Sequence, residues 1–155
     1  MFSHTLANIT KMTPIEILKN NLLGESITYF SVSDSWTLYI GEFYLVAQNI
    51  ISNDEKVVEK AINDSFELAK HSVDKEYISK SAIISSNMRK EIVDIELDNK
   101  YNLTLKFELG SDLLIPTNED IVDWQWCINK SGADPYSEKS LLTCFWEGEI
   151  ELNKE

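Results

Sequence analysis

Two spacings of hydrophobic residues run through this chain, and the switches between them mark out its elements. On a strand, alternate side chains share a face; on a helix, a face recurs about every 3.6 residues. Thr13-Pro14-Ile15-Glu16 opens a helix, with Thr13 as cap, Pro14 at the first position and Glu16 closing a capping box. Ile15, Leu18, Leu22 and Leu23 form its apolar side, and Gly24 is placed to end it. Ser26–Val32, Trp36–Ile40 and Phe43–Ile51 read as strands, joined by Ser33-Asp34-Ser35 and by a tight hairpin at Gly41-Glu42. Residues 55–71 carry Val58, Ala61, Ile62, Phe66 and Ala69 at helical spacing. Residues 72–90 are ambiguous, and Ser79–Ser86 reads as a strand or as an irregular connection.

A second strand-rich block follows: Glu91–Leu97, Tyr101–Leu109, Asp112–Ile115 and Ile121–Ile128. In the last of these, Val122, Trp124, Trp126 and Ile128 share one face, with Asp123 and Gln125 on the other. Residues 129–140 form a polar loop, and Leu142–Leu152 reads as one closing strand. Its alternation puts Leu142, Cys144, Trp146, Ile150 and Leu152 on an apolar face, and Thr143, Phe145, Glu147, Glu149 and Glu151 on the other. A row of three like charges is repulsive, so folding does not ask for it, whereas a cationic partner would. The expected class is α+β: mainly antiparallel sheet with an N-terminal helix and one central helix, in a single globular domain spanning 1–155. The two strand blocks echo each other, Trp36–Ile40 against Leu103–Phe107, which fits either a structural duplication or generic hairpin patterning.

Charge changes the picture. The formal net charge is −12, and it is uneven: residues 1–53 hold four acids and two bases, residues 108–155 eleven acids and three bases. That distribution fits simple solubility, or electrostatic complementarity to a basic partner. With Arg89 as the sole arginine and no basic stripe, direct binding of nucleic acid is disfavoured. Met1–Asn8 lacks the basic and apolar regions of a signal peptide, no apolar run reaches membrane-spanning length, and a cytoplasmic location is expected. Cys127 and Cys144 read as free buried thiols.

Candidate chemistry is sparse. The tryptophans Trp36, Trp124, Trp126 and Trp146 read as core. Phe145 is the exception, an aromatic among carboxylates that resembles an interface anchor; Tyr39 and Tyr44 are weaker candidates of that kind. Thr117–Asp123 lacks the spacing and glycine bend of a calcium loop, so no metal and no cofactor is expected. His4 lies near the terminus and His71 ends a charged helix, and local context suggests no Ser/His/Asp or Cys/His arrangement around either. No phosphate-binding loop, zinc motif or dithiol motif occurs, so the chain does not read as an enzyme.

A small acidic α+β chain of this kind resembles the immunity proteins of bacterial polymorphic-toxin systems, with contact-dependent growth inhibition the nearest picture. Trp36-Thr37-Leu38-Tyr39-Ile40-Gly41 and Asp123-Trp124-Gln125-Trp126 look like signature segments of such a family. The resemblance implies a cognate toxin domain as partner, often a basic nuclease, neutralised by covering its cleft or an exosite. Glu119, Asp120, Asp123, Phe145, Glu147, Glu149 and Glu151 would then form the partner-binding face, without direct nucleic-acid or membrane contact. The alternative is a non-catalytic small-ligand-binding or structural domain of a bacterial assembly, with a pocket lined by Trp124 or Trp146.

Overall fold

The computed structural model describes residues 12–121 and 123–152. His4 and the N-terminal segment Met1–Asn8 lie outside those residues, as does Val122. The chain is α+β with antiparallel sheets, in the order α1 (Pro14–Leu22), β1 (Ile27–Val32), β2 (Trp36–Ile40), β3 (Phe43–Ala47), α2 (Glu55–Ser65), α3 (Lys75–Asn87), β4 (Ile92–Leu97), β5 (Leu103–Phe107), β6 (Leu113–Ile115), β7 (Trp124–Asn129), β8 (Leu142–Phe145) and β9 (Ile150–Leu152). A six-stranded sheet runs β1-β2-β3-β7-β8-β9, and a three-stranded sheet runs β4-β5-β6.

α1 starts as its sequence dictates, with the Thr13 hydroxyl accepting the Glu16 amide and Pro14 at the first position. Its apolar side buries Leu18 and Leu22. One contiguous core takes in the inner faces of both sheets, α1 and α3, with Trp36, Leu38, Leu45, Trp126, Ile95 and Leu105 among its members.

The two helix-plus-three-strand units repeat one plan. Each helix is followed by a residue in extended conformation and then one at positive φ, Gly24 at 83° and Arg89 at 65°. Both turns close with the same backbone bond, Glu25 N–H to Leu22 C=O and Lys90 N–H to Asn87 C=O. The units then exchange bonds: Gly24 N–H donates to Ile92 C=O, and Arg89 N–H donates to Ile27 C=O. Each first strand also carries an irregularity at the same place, between Ile27 and Tyr29 and between Ile92 and Asp94. That shared turn plan is what a structural duplication would leave.

Three expectations are corrected. The ambiguous segment 72–90 contains helix α3, Lys75–Asn87, so two central helices stand where one was expected. Its inner side is Ile83, Ile84 and the amphipathic Lys80, whose buried ammonium donates to Ile50 C=O (2.6 Å) and pairs with Glu55 (2.8 Å). A lysine within an apolar stripe hides the helical period. The expected helix 55–71 stops at Ser65 and continues as a 3-10 turn over Glu67–His71, leaving Ala61 and Phe66 exposed.

The expected closing strand 142–152 is a hairpin. β8 and β9 pair antiparallel, Thr143 opposite Glu151 and Cys144 opposite Ile150, around a turn at Trp146–Gly148. Glu147 (φ 59°) and Gly148 (φ 89°) take left-handed conformations there, and a Cβ on Gly148 would overlap the Lys100 carbonyl. The three glutamates therefore do not form one row, and Trp146 is 38% exposed rather than on an apolar strand face.

Candidate functional site

The outer face of the six-stranded sheet carries a second, smaller apolar cluster: Val46, Trp124 and Cys127, with Tyr44 and Phe145 packed on it. Trp124 belongs to this face because β7 is irregular between Trp124 and Trp126, which breaks the alternation read from the sequence. Gln48, just past β3, holds the irregularity from both sides: its amide donates to Gln125 C=O and its side chain to Trp124 C=O. Trp126 stays inside, with its indole N–H bonded to Tyr101 C=O (3.0 Å). Trp124 pairs across the sheet with Phe145.

The loop after β7 folds over this cluster. Asn129, buried, accepts the Ser131 and Gly132 amides and donates to Ala133 C=O. Gly132 thereby lies against the Tyr44 ring. Farther on, the Asp134 carboxylate accepts both the Tyr136 and the Ser137 amide at 2.9 Å, and the Ser137 hydroxyl. The Ser137 hydroxyl and these amides hold the Asp134 carboxyl below the usual carboxylate range. The loop delivers Tyr136 so that its hydroxyl donates to Asp123 Oδ1, which raises the tyrosine's pKa.

Two open recesses result, meeting at Asp123. One, of about 560 Å³, is bordered by Asp34, Gln48, Trp124, Asp134 and Tyr136, with Val46 in its floor. The other, of about 320 Å³, is lined by Asp123, Phe145, Trp146, Glu149 and Glu151. Five carboxylates thus line the two recesses together with Trp124, Tyr136, Phe145 and Trp146, and among the described residues no lysine, arginine or histidine does. Such a site suits ammonium or guanidinium groups, which gain from both the carboxylates and the ring faces.

Of the residues expected to meet a partner, Asp123, Phe145, Glu149 and Glu151 come together. Glu147 does not line that recess; it tips the β8–β9 turn, where its amide donates to Thr117 C=O. Glu119 and Asp120 lie in the preceding loop, the Glu119 amide bonded to the buried Gln125 side chain (3.0 Å). Asp34, Asp134, Tyr136 and Asn129 were not singled out from the sequence. The signal for the last three was the Asn-x₂-Gly…Asp-Pro composition of the 129–140 loop, which marks ordered turns. Asp34 reaches the site from a turn far away in sequence. Among the described residues, no group of three or more metal-ligating side chains clusters together, and no helix is long and apolar enough to cross a membrane.

No protein-family model matches the chain, and no curated protein or solved structure does either.

Proposed function

We propose that this is a non-catalytic binding protein of the bacterial cytoplasm that neutralises a basic toxin domain, in the manner of an immunity protein. The observation that carries the reading is the pair of recesses meeting at Asp123, lined by five carboxylates and by aromatic side chains. The carboxylates would steer a basic surface in and compete for the cationic groups that normally hold its substrate. Trp146 and Phe145 would supply desolvated contact and slow release. Because Asp34, Asp123 and Glu151 come from three separate segments, the site exists only in the folded protein.

A tagged chain recovered from its native cell should bring down a basic protein that is released as salt rises. Reversing Asp123 and Glu151 to Lys should weaken that complex by about a hundredfold, mostly through slower association, with circular dichroism unchanged. Unchanged affinity in a folded double variant would place the interface elsewhere. The second reading, a site for a small cationic ligand, is favoured by the larger recess alone, whose volume falls in the range of ligand sites. Recovery of the chain without a protein partner would select it.

A further inference from the structure

Of the four sheet edges, three are closed or guarded. Both backbone groups of Leu114 in β6 are bonded to Ile51. In β4, Ile92 is bonded to the Gly24–Glu25 segment, and Asp94 and Glu96 pair with Lys19 and Lys106. In β9, Glu151 and the adjoining Glu149 put carboxylates at the edge.

The edge strand β1 is different. Among the described residues, its outer backbone is bonded only at its first residue, where Arg89 N–H reaches Ile27 C=O. From Ser26 to Ser33 there is no charged side chain and no proline, in a chain where 26% of residues are charged. Thr28, Tyr29 and Ser31 are exposed, Tyr29 by 54%. Proteins normally guard such an edge, because open N–H and C=O groups template another strand.

We infer that β1 is a docking edge, and that its occupant is an extended strand of a partner protein with a lysine or arginine at each end. Charge selects the occupant. Exposed acids stand at both ends of the uncharged run, Glu25 with nearby Glu42 before it and Asp34 after it. Antiparallel pairing of β1 with a second copy would set Glu25 against Asp34 of that copy at both ends, so self-association is disfavoured. A strand with basic ends meets both acids and pairs its backbone with the open edge. On the solvent face it would also extend the cross-strand row Tyr29–Tyr39–Tyr44, in which the last two rings already pack at 4.5 Å. Strand β1 itself lies outside the recess lining, which reaches only the turn Ser33-Asp34-Ser35 at its far end, and the following test reads the two sites separately.

The probe is a synthetic peptide of about eight residues alternating Thr and Val, with Lys at each end. Titrated into isotope-labelled protein, it should shift the amide signals of Thr28–Val32. N-methylating every second peptide amide should abolish binding in one register and leave it in the other, since only alternate amides face β1. The Glu25→Lys, Glu42→Lys double variant, whose altered positions line neither recess, should bind it about tenfold more weakly. Tolerance of N-methylation in both registers overturns the inference. So do shifts centred on Asp123 and Glu149, which leave the recess reading standing. Concentration-dependent dimerisation through β1 overturns it in favour of a second copy.

Discussion

Cys127 and Cys144 sit on paired strands yet face opposite sides of the sheet. Trp126 is the register partner of Cys144 and points with it into the main core, so the next residue, Cys127, points to the outer cluster. Burial pushes the Cys127 thiol up to about 11, a shift that the Ser140 hydroxyl tempers, and the Cys144 thiol up to about 12. Neither should react with a thiol reagent at pH 8 in the native protein, and both should react in urea; native labelling would show that the sheet opens readily. The raised values also fix a sign. Both thiols stabilise the fold fully below their ordinary pKa of 9.0, and that contribution is lost as pH climbs through about 11 and 12. Urea midpoints should therefore fall steadily above pH 9, and less steeply once each cysteine is replaced by alanine. At this scale much is legible: the two cysteines read as buried thiols and Thr13 as a cap, and both stand so in the fold. Lys80 was not legible, because its burial depends on Ile50 and Glu55 arriving from another segment.

Elements turn on backbone conformation, which a period of two or 3.6 does not encode. The closing segment shows this: Leu142–Cys144 and Ile150–Leu152 obey the alternation, and the left-handed pair Glu147–Gly148 resets it between them. That pair moves Trp146 and Glu147 off the expected faces, and the irregularity in β7 does the same for Trp124, while Asp123, Phe145, Glu149 and Glu151 still meet. The duplicated turn supports a sharper expectation. Gly24 and Arg89 occupy equivalent left-handed positions, and only glycine adopts that conformation without strain. Arg89→Gly should stabilise the protein by about 0.5 kcal/mol, and Gly24→Ala should destabilise it by about 1 kcal/mol, both read from urea unfolding. The opposite sign at Arg89 would mean that its side chain contributes more than its backbone costs.

The whole molecule carries its charge unevenly, with a net of −12 and five carboxylates gathered around the recesses. Such crowding opposes the compact state and favours an oppositely charged partner, so salt should act on the two with opposite signs. Raising sodium chloride from about 20 mM to about 0.5 M should raise the melting temperature by about 3 °C while weakening capture of a basic partner. A melting temperature that falls with salt would mean that ion pairs such as Glu55–Lys80 outweigh the repulsion.

The strand order has a consequence for synthesis. β3 can pair with β2 as soon as both exist, but its other edge waits for β7, which lies some eighty residues farther along the chain. During translation the duplicated units can assemble first, since most of their pairings are between neighbours in sequence. The acidic recesses come last, once the ribosome has released Asp123 through Glu151 onto that waiting edge. A truncated nascent chain could thus hold much of the core and still have no grip on a basic partner.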